Sequence, residues 1–244
     1  MKTKTSTAFG AAEFASRGFA VVNAVYTSEE ITAIASCIEQ ATAMQGIQRG
    51  STSLFALRQF LKEVPAAAPL IFNANLCGLL AEYGGPQYVP VKSIYFDKPA
   101  DANWFVPFHQ DLSIAVNERI DAPGYGPWTV KQNLFGVQPP QRILENILTL
   151  RIHLDDTNEE NGALRVLEGT HRRGIFRAET LHLANETEHV CRVETGGVML
   201  MKPLLMHASH RSRRQLGRRV IHIECSDQEL DGGLCWAERT AVLR

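Results

Sequence analysis

Apolar and polar positions change period twice along the chain. The run Gly18-Phe19-Ala20-Val21-Val22 is short, apolar and partly β-branched, and predicts a strand. Thr27-Ser28-Glu29-Glu30 has the form of a capping box. Ile31, Ile34, Ala35 and Ile38 follow at helical spacing, so a helix is predicted over about 28–44. A second helix is expected over 54–64, stopped by Pro65, and a third over 66–83, ended by Gly84-Gly85-Pro86. From 88 onward the period shortens toward two. Residues 88–96, 147–155, 163–167, 198–201 and 219–224 read as strands separated by Gly, Pro and Asn turns, and 192–195 runs extended into the Gly196-Gly197 turn. Residues 117–141 are rich in Gly, Pro and aromatics and are expected to form a long loop serving as a lid or substrate wall. Many short strands after a helical start predict a mainly β protein, a barrel or sandwich with helices packed on one side.

Composition narrows the setting. The 244 residues are 45% hydrophobic and 21% charged, enough for one domain with a sizeable core. We expect a single domain over 1–244, with a helical part at 1–86, a β core at 87–226 and a tail at 227–244. A net charge of −1 provides no global basic field, so nucleic acid is not an expected partner. Five scattered cysteines without C-x-x-C spacing read as reduced thiols. No apolar run approaches a membrane span, and Glu13 and Arg17 interrupt any leader-like start. A cytoplasmic monomer or homodimer with a small-molecule substrate is the expectation.

The chemistry gathers at Phe108-His109-Gln110-Asp111. On an extended backbone, side chains two apart share a face, so His109 and Asp111 can reach one cation. By itself an H-x-D is common and reads as readily as a hydrogen-bonded surface pair. A distant third ligand is offered by Leu204-Leu205-Met206-His207, with His210 as a rival three positions on. Two histidines and one carboxylate are the facial triad of non-haem Fe(II) oxygenases, which leaves positions open for substrate and O2.

These residues, together with Leu154-Asp155-Asp156, the run Asn161-Gly162-Ala163-Leu164-Arg165-Val166-Leu167-Glu168-Gly169-Thr170-His171, and His207-Ala208-Ser209, resemble the phytanoyl-CoA dioxygenase family over nearly the whole chain. The resemblance implies a double-stranded β-helix (jelly-roll, cupin-like) core with N-terminal helices packed on it. It implies Fe(II) held by His109, Asp111 and His207, with 2-oxoglutarate as cosubstrate. The far carboxylate of 2-oxoglutarate would be gripped by Arg218, or by its neighbour Arg219, with help from Ser209; Gln110 would support the site. It further implies oxidative decarboxylation to succinate and CO2 coupled to hydroxylation of a small molecule. An acyl-CoA is the alternative substrate, and a non-catalytic ligand-binding barrel is the alternative class. Because Asp111 is a carboxylate, chloride is not expected to take its place.

Adjacent strand residues face opposite ways, so only one of Arg218 and Arg219 can point inward. If Arg218 does, Val220 and His222 join it; if Arg219 does, Ile221 and Ile223 join it. His153 and His222 lie in strands and read first as interior histidines satisfied by hydrogen bonds, with contact to the substrate or support of the metal ligands as the alternative. His171 reads as structural, and His182 and His189 as solvated. Arg172, Arg173 and the basic residues Arg211, Arg213 and Arg214 read as solvated, or as a clamp for an anionic substrate. Trp104, Tyr125 and Trp128 read as core or pocket wall.

Overall fold

The computed structural model describes residues 10–44, 55–98, 105–131, 133–211 and 217–239. Helices α1 (Ala11–Arg17), α2 (Ser28–Met44), α3 (Phe60–Glu63), α4 (Ala68–Ile71) and α5 (Ala74–Tyr83) precede most of the strands, and α6 (Gln141–Asn146) interrupts them. The strands are β1 (Phe19–Val22), β2 (Phe55–Arg58), β3 (Val89–Lys98), β4 (Val106–His109), β5 (Ile114–Val116), β6 (Trp128–Lys131), β7 (Leu134–Val137), β8 (Leu148–His153), β9 (Leu164–Leu167), β10 (Glu188–Val190), β11 (Val198–Met201), β12 (His207–Ser209) and β13 (Arg218–Ser226).

Two antiparallel sheets form the double-stranded β-helix. One runs β1-β11-β8-β13-β3-β2 and the other β10-β9-β12-β4; a smaller third sheet runs β5-β7-β6. Period-two alternation sorts the large sheet. Leu148, Leu150 and Ile152 of β8 and Ile221, Ile223 and Cys225 of β13 join one cluster with Ile31, Ile34 and Ile38 of α2. That face is the helix-covered core. The alternating set, Thr149, Arg151 and His153 with His222 and Glu224, is buried yet polar, and it faces the interior between the sheets. Burying a Leu or Ile stabilises by roughly 1.5–3 kcal/mol. The apolar set therefore goes against the helices, and a one-residue slip would forfeit all of it.

The capping box forms as the spacing predicts: the backbone N–H of Glu30 donates to Thr27 Oγ1 at 3.2 Å, and that of Thr27 donates to Glu30 Oε2 at 2.8 Å. Three expectations change. The helix expected over 54–64 is instead strand β2 followed by the single turn α3. Phe55-Ala56-Leu57-Arg58 completes the open edge of β3, and Gln59 at φ 51° ends the strand. Pairing with a waiting edge overrides a weak local helix preference. The helix expected over 66–83 is broken at Asn73, whose side chain caps α5 by accepting from Leu76 N at 2.9 Å and also donates to Val25 O and Glu30. Within 117–141, the expected loop holds the hairpin β6–β7, which pairs with β5. Gly136 lets this hairpin close, because a Cβ there would lie 2.6 Å from Thr129 Oγ1 and 2.9 Å from Ser113 Oγ. Helix α1 carries no strong periodic signal; His171 ties it down by hydrogen bonding to Ala15 O at 3.0 Å.

Candidate metal centre

His109 ends β4 and His207 begins β12, and the two are direct partners in the antiparallel ladder. Their rings lie 4.2 Å apart. Asp111, just past β4, is fixed by its backbone N–H donating to Pro203 O at 2.9 Å. His109 Nε2 lies 3.9 Å from Asp111 Oδ1 and His207 Nε2 lies 3.7 Å from Asp111 Oδ2. One donor atom from each of the three lies within 4.8 Å of the others, and this is the metal-competent cluster found among the described residues.

The tautomers favour a metal. His109 Nδ1 is 2.9 Å from Pro107 O, and His207 Nδ1 is 2.9 Å from Leu205 O. A carbonyl only accepts, so each Nδ1 carries a proton and each Nε2 is the atom left to face a metal beside Asp111. Burial, opposed by Asp111, pulls the His207 imidazole down to about 4, so it is neutral and ready to ligate near pH 7. Burial pushes the Asp111 carboxyl up, but His207, His222, Lys92 and His109 outweigh it and hold the group well below the usual carboxylate range. A donor set of two imidazoles and one carboxylate fits Fe(II).

The interior beyond this centre is cationic. Arg218 projects from β13 into it, donates to Gly162 O, and is pulled down to about 10 by burial and by neighbouring Arg151. Arg219 faces the other way, making a forked contact with Asp155 at 2.7 and 2.9 Å and lying 3.6 Å from Glu39 of α2. Its guanidinium is already occupied. Burial, then Arg151 and Arg218, hold His153 well below its ordinary value. Thr149 Oγ1, Arg151 Nε and His153 Nε2 are buried on one face of β8 without a hydrogen-bond partner among the described residues. Buried orphans of this kind call for a ligand or ordered water. Donors and cations together fit a small dianion such as 2-oxoglutarate.

Other expected residues fall differently. Ser209 is buried two positions from His207 on the same strand. Gln110 points away from the centre: its Nε2 donates to Gly174 O and Leu204 O, and its Oε1 accepts from Phe176 N. It clamps the strand and has no amide group left for a cosubstrate. His210 is exposed. His189 is not simply solvated, since its Nε2 meets Glu168 at 2.5 Å. Arg173 pairs with Glu186 at 2.6 Å. Tyr125 is core, its hydroxyl accepting from Asp231 N. Trp104, Arg213 and Arg214 lie outside the described residues.

The sequence reading missed a chain of polar groups beside Asp111. Arg151 Nη1 donates to His222 Nδ1 at 3.0 Å, His222 Nε2 donates to Glu224 Oε1 at 3.2 Å, and Lys92 Nζ donates to the same oxygen at 2.6 Å. The available signal was polar residues at every second position of otherwise apolar strands. A cavity of about 410 Å³ opens beside Asp111 and Lys92, with Ile94, Ile114 and Phe135 among its walls.

The family model for phytanoyl-CoA dioxygenase matches residues 14–220. No protein of curated function matches the sequence. Among solved structures, the fold is similar to that of EctD from S. alaskensis with 2-oxoglutarate and 5-hydroxyectoine (TM-score 0.71, 17% identity, covering 100% of this chain and 89% of that one). It is also similar to the non-heme alpha ketoglutarate dependent carbocyclase SnoK from nogalamycin biosynthesis (0.68, 13%, 98% and 90%). A third likeness is to AviO1 from Streptomyces viridochromogenes Tue57 (0.63, 20%, 91% and 95%).

Proposed function

The chain belongs to the phytanoyl-CoA dioxygenase family, and from that premise we propose that it is a 2-oxoglutarate-dependent non-haem iron oxygenase that hydroxylates a small molecule. The observation that carries the reading is the pair of histidines with Nδ1 tied to backbone carbonyls and Nε2 turned on Asp111, beside a buried interior that holds Arg151 and Arg218 close together. His109, Asp111 and His207 would hold Fe(II). Arg218 would take the far carboxylate of 2-oxoglutarate, with Ser209 beside it, since a guanidinium offers a carboxylate two parallel donors. Bound there with O2, the iron and cosubstrate supply the oxidant and release succinate and CO2.

The protein's own groups set the conditions. The ionised Asp111 leaves an Fe(II) site with one net positive charge, which suits a dianionic cosubstrate. The carboxylate also occupies the position that a halide would need. Lys92 and Arg151, tied to Glu224 and His222, lie close enough to Asp111 to favour its ionised form. Arg172 and Arg173 do not line the cavity beside Asp111, and Arg173 is already paired with Glu186, so these two would not serve an acyl-CoA there. No helix among the described residues is long and apolar enough to cross a membrane.

The test needs no substrate. Fe(II) and 2-oxoglutarate added without oxygen should give a weak visible band near ~500–530 nm, as keto-acid chelation at an open facial triad does. The band should vanish in Asp111→Ala, weaken in Arg218→Ala and persist in Arg219→Ala. Absence of the band in folded wild-type protein with excess iron would overturn the reading.

A further inference from the structure

Resting on that reading, we infer that the substrate is an amphiphilic oxyanion whose anionic group is held by Arg58 and Lys131. The cavity beside Asp111 is lined by three cations, Arg58, Lys92 and Lys131, and two carboxylates, Asp111 and Glu238. Asp111 belongs to the metal centre, and Lys92 donates to Glu224 and to Ser113 O. Glu238 accepts from Ser93 N at 2.6 Å and Ser93 Oγ at 2.5 Å, neutral donors that hold it without cancelling its charge. Arg58 and Lys131 remain, and neither forms an ion pair with a carboxylate among the described residues. Two cations against one carboxylate leave this part of the cavity net positive, which attracts an anion.

The two cations come from separate elements, β2 and β6, and both line this cavity. Arg58 ends β2, which closes the edge of the large sheet against Ile94 of β3. It is followed by Gln59, a non-glycine residue in the left-handed region (φ 51°, ψ 42°) that also lines the cavity. Such a conformation costs of order 1–3 kcal/mol, and it concentrates at functional sites. Lys131 ends β6 on the hairpin whose β7 partner supplies Leu134 and Phe135 to the same wall. The same lining includes Ile94, Ile114, Ala115, Leu134 and Phe135, so the substrate would carry an apolar segment beside its anionic group. A volume of about 410 Å³ suits one small molecule.

The full chain, loaded anaerobically with Fe(II) and saturating 2-oxoglutarate, is titrated calorimetrically with octanoate, octyl phosphate and octylamine as probes. Saturable millimolar or tighter binding of octanoate or octyl phosphate, and not of octylamine, is expected. Arg58→Ala and Lys131→Ala should each weaken it about tenfold, the size of one charge-assisted contact. Arg58→Lys should restore part of the loss. Binding should persist in Arg218→Ala, which separates this subsite from the cosubstrate pocket. The preferred probe identifies the oxyanion as carboxylate or phosphate. Equal binding of octylamine, no anion binding at millimolar concentration, or affinity unchanged in both alanine variants would overturn the inference. The anaerobic Fe(II)–2-oxoglutarate band, recorded on the same samples, reports the oxygenase reading separately. A retained band with failed anion binding rejects only the substrate class.

Discussion

Arg151 is the residue whose removal tells most about the interior. It is buried, its Nη1 is held by His222, and its Nε has no partner. Arg151→Met keeps much of the volume and removes the charge. We expect 2-oxoglutarate affinity, read by titrating the visible band, to fall about ten- to a hundredfold, as for a lost charge-assisted hydrogen bond worth roughly 1.5–3 kcal/mol. Fe(II) affinity should change much less. His153 gives a stability prediction with a defined sign. Above the ordinary value of 6.5 the imidazole is neutral in both the folded and the unfolded chain, so it adds no pH dependence. As pH falls through 6.5, the unfolded chain takes up a proton that the buried ring refuses, and stability drops by up to about 1.4 kcal/mol per pH unit. His153→Gln should remove that share. Urea midpoints of cosubstrate-free protein should then fall less steeply between about pH 7 and 5 than those of wild type. Equal slopes would assign the acid sensitivity to other groups.

Among the elements, the hairpin β6–β7 and the break at Asn73 are the two places where local pattern and final structure part. In Gly136→Ala the new methyl would press on Thr129 Oγ1 and Ser113 Oγ. We expect a loss of about 1–3 kcal/mol, typical of overpacking, measured by denaturant unfolding. Adding Thr129→Ala should recover part of it; no recovery would place the strain elsewhere. Asn73→Ala removes the α5 cap and two bonds to the α2 region, for an expected cost of about 1–2 kcal/mol. The cap was visible in the sequence only as one Asn inside an apolar helical run. Its partners, Val25 and Glu30, lie more than 40 residues away, so no local window contains the reason for the break.

At the level of the whole molecule, the same two strands carry core and site on opposite faces. Leu150→Ala on β8 should cost about 2–5 kcal/mol through the cavity it leaves under α2, yet leave the Fe(II)–2-oxoglutarate band intact in the protein that remains folded. Loss of the band at unchanged stability would mean that the faces are coupled more tightly than the packing indicates. The sequence by itself determined the α2 capping box, most of the strands, the shared face of His109 and Asp111, and the distant His207, because period and spacing are local properties of a chain. Only the tertiary structure decided that His207 pairs directly with His109 while His210 is exposed. It alone placed Arg218 in the interior and Arg219 on Asp155, turned residues 55–58 into an edge strand, and assembled Arg151, His222, Glu224 and Lys92 around Asp111. Alternation says which residues share a face but not which face turns inward. That choice follows from burying Leu150, Ile152, Ile221 and Ile223 against helices far away in sequence, which leaves the polar face, and with it the chemistry, on the inside.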